Sequence, residues 1–176
     1  MTRDEKVLFL NRILHGTVNS VVQYMAIASP FVPPYCEGKM AELAAMREAE
    51  AKTANQVVAL IGELDGVPQA EAFPYWNVDL NYLDVRFLAG FAAEHEARVV
   101  AEIGESLQDL RDDPRLHGAV ERILGEKRAH LEALEAIAAI PTPAPDPARA
   151  KKAVPAECQN VPRPVRAAKP APRAKG

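Results

Sequence analysis

The sequence predicts an all-α protein, an antiparallel four-helix bundle with a long crossover between helices 2 and 3. Three observations predict it. Apolar residues recur at three- and four-residue spacing through four stretches, each roughly 25–35 residues long, as on the buried face of a helix. Proline and glycine punctuate the joins between them. No segment shows the alternating pattern of a strand.

The first helix is expected to start at Thr2, which forms a capping-box pattern with Glu5, and to run to Ser29, where Pro30 stops it. Its stripe is Val7, Leu10, Leu14, Thr17, Val21, Tyr24 and Ala28. A loop with Pro33-Pro34 follows. The second helix runs from Lys39 to Leu64, with Gly66 and Pro68 as stop signals and a stripe of Leu43, Met46, Glu50, Thr53, Val57, Leu60 and Leu64. The stretch from Gly66 to Trp76, rich in aromatics, is too long for a tight turn and reads as the crossover, with Tyr75 and Trp76 as its anchors. The third helix spans Asn77 to Arg111 with a weaker stripe: Leu83, Phe87, Gly90, Glu94, Ala97, Ala101 and Gly104. Asp113-Pro114 is an N-cap followed by proline at the first helical position, so the fourth helix begins there and ends before Pro141. Its stripe is Leu116, Val120, Ile123, Lys127, His130, Leu134 and Ile137.

The domain reading is a bundle over residues 1–140 and a basic tail over 141–176. The net charge of −3 hides this division: 1–140 holds 13 basic and 22 acidic residues, and 141–176 holds eight basic and two acidic. The tail is Pro, Ala, Lys and Arg with almost no large apolar side chains, so it is expected to be disordered. It could neutralise nucleic-acid phosphates, although it lacks interleaved aromatics for stacking. No apolar run is long enough for a membrane span, and the first residues lack a signal-peptide pattern, so a cytoplasmic protein is the default expectation. Cys36 and Cys158 form neither a disulfide framework nor a zinc motif.

Each stripe is interrupted by polar residues at mid-helix. Thr17, Glu50, Thr53, Glu94, Lys127 and His130 should therefore meet at one level of the core. Tyr24 lies one helical level away and is expected to be a buried, hydrogen-bonded neighbour. His15, His95 and His117 fall off the stripes and are expected to be solvated, and Glu96, Glu102 and Glu105 with Arg98 read as a charged helix face. Leu8, Phe9, Val22, Val58, Val99 and Leu110 also fall off them, and either widen the core or serve a dimer interface.

Three features carry a family resemblance: Leu10-Asn11-x-x-Leu14 leading to Gln23-Tyr24, the run Leu64-Asp65-Gly66-Val67-Pro68, and the spacing from Glu94 to His130. Over residues 5–138 the chain resembles the bacterioferritin branch of the ferritin-like superfamily. The resemblance implies a di-iron site with one Glu from each of two helices and Glu-x-x-His from each of the other two. Carried over, the positions are Thr17, Glu50 with Thr53, Glu94, and Lys127 with His130. Three of the six keep a ligand residue. The haem-binding methionine of the family would fall at Ala51, so no haem is expected.

The resemblance and the residues together leave alternatives. The first is a degenerate centre without ferroxidase activity, in which Lys127 stands between Glu50 and Glu94 as a paired buried charge and the protein is structural or regulatory. The second is a single metal, iron or manganese, at Glu50, Glu94 and His130. A full di-iron centre would need further ligands. A third class of function is a scaffold or nucleic-acid binder acting through the tail. A homo-oligomer, at least a dimer, is implied by the family's assemblies.

Overall fold

The computed structural model describes residues 1–25, 30–70 and 82–144. Among these it contains five α-helices: α1 (Arg3–Val18), α2 (Val21–Met25), α3 (Lys39–Glu63), α4 (Val85–Ser106) and α5 (Pro114–Ala138). They form the expected four-helix bundle, with α1 and α2 together as its first arm. The main packing is α4 on α5 and α1 on α3, while α2 leans on α3 and α4. Met1–Ile140 forms one unit. Beyond Ile140 only residues 141–144 are described, so the expected disorder of the tail lies outside the described residues.

The helix starts follow local chemistry. Thr2 and Glu5 make a reciprocal capping box on α1. Asp113 caps α5 by accepting from the Leu116 N–H, with Pro114 in the first turn. The first arm departs from expectation because it is not continuous. It breaks at Asn19–Ser20, where Ser20 Oγ accepts from the Gln23 N–H at 3.2 Å and starts α2 anew. The third helix also begins later than Asn77: its described start is Val85, where Asp84 accepts from the Arg86 N–H. It ends at Ser106 and passes into a 3-10 turn over Leu107–Leu110.

Three sets of contacts pin the loops. Phe31 pairs with the residues around Asp84 through Phe31 N–H to Leu83 O and Val85 N–H to Phe31 O, each 2.9 Å. Arg86 is held by Asp84, stacks over the Tyr35 ring and donates to Ile140 O at 3.2 Å. The start of the crossover is strapped across α1: Asn11 Nδ2 donates to Val67 O at 3.1 Å, and Asn11 Oδ1 accepts from the Gln69 N–H at 2.7 Å. The remainder of the crossover, including Phe73-Pro74-Tyr75-Trp76, lies outside the described residues.

The core divides into two apolar clusters. One contains Phe9, Leu10, Ile13, Val57, Ile61, Ile103, Val120 and Ile123. The other contains Val22, Met25, Cys36, Leu43, Leu88, Ala92, Leu134 and Ile137. Of the residues off the expected stripes, Phe9, Val22, Val99 and Leu110 widen the core, while Leu8 and Val58 are exposed. No helix among the described residues is long and apolar enough to cross a membrane.

Gly66 explains why the run after α3 is so constrained. A Cβ added there would lie 2.7 Å from Val7 Cγ1, inside contact distance, and 3.0 Å from Ile61 Cγ2. At Gly66 the strap therefore meets α1 through backbone alone. Gly66→Ala should destabilise the bundle by about 1–3 kcal/mol through this overlap, read as a lower urea midpoint at unchanged slope.

Candidate functional site

Between the two apolar clusters lies a buried polar layer. α3 supplies Glu50, α4 supplies Glu96, α5 supplies Lys127, and the break in the first arm supplies Ser20. Glu50 is 0% exposed, Lys127 1% and Glu96 2%. Lys127 Nζ donates to Glu50 Oε1 at 2.8 Å. It also sits astride the Glu96 carboxylate, 3.2 Å from Oε1 and 3.4 Å from Oε2, with hydrogen-bond geometry only to Oε2. Glu50 Oε2 accepts from Ser20 Oγ at 2.5 Å and from Gln23 Nε2 at 3.3 Å.

The electrostatics follow from this packing. Burial raises the Glu96 pKa to about 7; attraction by Lys127 offsets this only in part, and the Glu50 charge adds to it. Burial pulls Lys127 down, but the attraction of Glu50 and Glu96 with their hydrogen bonds outweighs it, so its pKa rises and the ammonium stays charged. Burial, with the Lys127 charge second, lowers His130. Its imidazole is then neutral near pH 7, the form that can bind a metal. His130 is half-buried and lines a surface hollow between α3 and α5 with Met46, Ala129 and Ala133. Among the described residues, Glu96 Oε1 and His130 Nδ1 have no hydrogen-bond partner. One ligand atom from each of Glu50, Glu96 and His130 lies within 4.8 Å of the others.

Of the residues singled out from the sequence, Glu50, Thr53, Lys127 and Thr17 are buried as the stripes require. Glu94 is not. It is exposed, and Glu96 takes its place. At 3.6 residues per turn, two residues apart means roughly opposite faces of a helix. The buried face of α4 is Val85, Leu88, Ala92, Glu96, Val99 and Ile103. Phe87 on the expected stripe is exposed. The two threonines bond locally. Thr17 Oγ donates to Ile13 O at 2.8 Å. Thr53 Oγ lies 3.1 Å from Ala49 O and 2.8 Å from Glu126 Oε2. Tyr24 is buried in α2. His15, His95 and His117 are half-buried rather than fully solvated.

Glu96, expected on a charged helix face, is buried against Lys127, and sequence reasoning also missed Ser20, Gln23 as a partner of Glu50, and Glu126. For Ser20 a signal existed: Ser20-Val21-Val22-Gln23 is itself a capping-box pattern inside what reads as one helix.

No protein-family model and no curated protein matches the chain. Among solved structures, it is similar to the ferritin-like, diiron-carboxylate proteins of Bacillus anthracis str. Ames. The TM-score is 0.62 at 18% sequence identity, over 78% of this chain and 99% of that one. The fold is ferritin-like. A polar layer at mid-bundle is thus set into a ferritin-like scaffold, with Lys127 at its centre.

Two predictions follow from the charges. Lys127→Met leaves two carboxylates buried without their cation and should cost about 3–5 kcal/mol, whereas adding Glu50→Gln and Glu96→Gln to the same chain should recover most of the loss. Urea unfolding of the single and triple variants reads this. The second concerns pH. Glu96 has a folded pKa raised from 4.5 to about 7, so the stability it lends is full below pH 4.5 and is lost as pH rises through 7. Relative to Glu96→Gln, the parent should therefore lose roughly 3 kcal/mol between about pH 4.5 and 7.5, measured by denaturant unfolding across that range.

Proposed function

We propose that this chain is a divergent ferritin-like protein, of the bacterioferritin branch, whose di-iron centre is incomplete. It lacks ferroxidase activity and has a structural or regulatory role in iron or redox physiology. The observation that carries this reading is the position of Lys127 Nζ, 2.8 Å from Glu50 and 3.2 Å from Glu96. A di-iron site of the ferritin-like kind draws four carboxylates and two histidines from its four helices. The buried layer here offers two carboxylates, one imidazole and one ammonium. The residues do not fit two divalent cations: the negative charge that would balance them is halved, and the ammonium already uses what is left.

A second reading is supported by a separate observation. Glu50, Glu96 and His130 converge, and Glu96 Oε1 and His130 Nδ1 stand without hydrogen-bond partners among the described residues. Two carboxylates and a neutral imidazole suit one iron or manganese ion, provided Lys127 is drawn aside or neutralised. On this reading Glu96 replaces Glu94 in the ligand set. We further propose a homo-oligomer, in keeping with symmetric assembly of such bundles.

Anaerobic loading with iron(II) at neutral pH, followed by desalting and elemental analysis, tests both readings. The first predicts no retained iron and no oxygen consumption in the parent, and a gain of metal in Lys127→Glu, which exchanges the ammonium for a third carboxylate. One retained ion, lost in His130→Ala, would establish the second reading. About two ions per chain with oxygen uptake would sink both.

A further inference from the structure

We propose that the cleft between α1 and α4 binds a small organic anion with an apolar body. The cleft is independent of the buried layer. Its volume is about 450 Å³, within the range of small-molecule sites. Gly16 and Val99 meet at its base: a Cβ on Gly16 would stand 3.2 Å from Val99 Cγ2, so the two helices approach closely there. Leu8, 60% exposed, adds an apolar wall.

The charge of the lining is opposite to that of its surroundings. Residues 1–140 carry 13 basic and 22 acidic side chains. The cleft nevertheless gathers two guanidiniums, Arg12 and Arg98, against one carboxylate, Glu102, with His15 beside them; burial lowers His95, whose neutral ring meets Gly16 O at 3.5 Å. Arg12 meets Glu102 at 3.4 Å, and both are about half exposed, so this pair holds the guanidinium only weakly. Arg98 adds a second guanidinium to the lining. Asn19 Nδ2 lies 3.1 Å from His15 Nδ1. An amide N–H can only donate, so the proton of a neutral His15 ring sits on Nε2 and makes it a donor.

The rim is fixed in advance by the Asn11 bonds to Val67 and Gln69, and Gln69 lines the cleft. Such preorganisation lowers the ordering cost of binding. The adjoining hollow, of about 460 Å³, shares Leu8 and Arg12 and balances Glu5 and Asp109 with the Met1 ammonium, so it adds no net charge to attract the ligand's anionic head. The anionic head belongs with Arg12, Arg98 and His15, and the apolar body over Leu8 and Val99. A carboxylate, sulfonate or phosphate monoester on a hydrocarbon or aromatic body shares the chemistry required.

The test uses the full chain and the fluorescent sulfonate 8-anilinonaphthalene-1-sulfonate at low salt, with inorganic phosphate as competitor. Binding should saturate near one dye per chain. It should weaken at least about tenfold in Arg12→Ala/Arg98→Ala and likewise in Leu8→Glu. All three side chains are exposed, and circular dichroism should show helicity unchanged. Phosphate alone should displace the dye only at concentrations far above the dye's own. Absence of saturable binding, equal binding by either variant, or displacement by phosphate at matching concentration would each overturn the proposal.

Discussion

The buried ammonium of Lys127 is the constraint on which the middle of this bundle depends. An ammonium at 1% exposure costs several kcal/mol unless carboxylates meet it at close range. Two do, one from α3 and one from α4, so three helices must stand in register at that level. The apolar clusters on either side set how closely the helices approach, but large hydrophobes tolerate exchange at similar volume. A charged centre with fixed partners is less tolerant. The second oxygen of Glu50 must also be satisfied, and this draws in the first arm.

That demand gives the break at Asn19–Ser20 its role. With the break, Ser20 Oγ both starts α2 and donates to Glu50, and Gln23 reaches the same oxygen one turn on. The interruption thus exchanges local helical hydrogen bonds for a satisfied carboxylate, where an unmet buried acceptor would cost about 1–3 kcal/mol. At the bundle ends the loops are held differently, by backbone contacts together with the Asn11 and Arg86 side chains. Gly66 lies against Val7 without space for a Cβ, and Phe31 pairs with the backbone at the start of α4.

Much of this was legible in the sequence, for identifiable reasons. The α5 stripe of Leu116, Val120, Ile123, Lys127, Leu134 and Ile137 is large and apolar on both sides of its lysine, so the pattern leaves one choice of face. On α1 and α3 the expected positions Leu10, Leu14 and Thr17, and Leu43, Met46, Glu50, Thr53 and Val57, are buried, although Phe9 and Ile13 widen the α1 face. On α4 the pattern is poor. Alanine and glycine fill both faces, and Ala89, Ala92 and Ala93 are buried while Phe87 is exposed. The stripe through Leu83, Phe87 and Gly90 passes through Glu94, but one weighted by Val85, Leu88, Val99 and Ile103 passes through Glu96. The break in the first arm was hidden for another reason: Asn19-Ser20 can be read as polar helix surface until Gln23 is counted as a capping partner. Partners across the core, such as Thr53 with Glu126, depend on helix rotation and have no local signature.

The two readings of the centre differ in what Lys127 must do, and the geometry sets the size of that difference. A cation entering among Glu50, Glu96 and His130 meets the ammonium already within 2.8 and 3.2 Å of both carboxylates. It has either to expel that side chain or to take its proton, against attractions that hold its pKa up. Expulsion needs room for a long side chain in a packed layer, and deprotonation removes the cation that compensates Glu50. In exchange the entering ion gains the imidazole of His130 and a direct bond to Glu96, whose Oε1 meets Lys127 as an ion pair without hydrogen-bond geometry. The balance therefore turns on whether these ligands outweigh the internal ion pair. The near-neutral pKa of Glu96 weighs against the ion at low pH, because a proton then competes for the same oxygen. Metal occupancy, where it occurs, must rise with pH, and the charge on the central lysine sets how steeply.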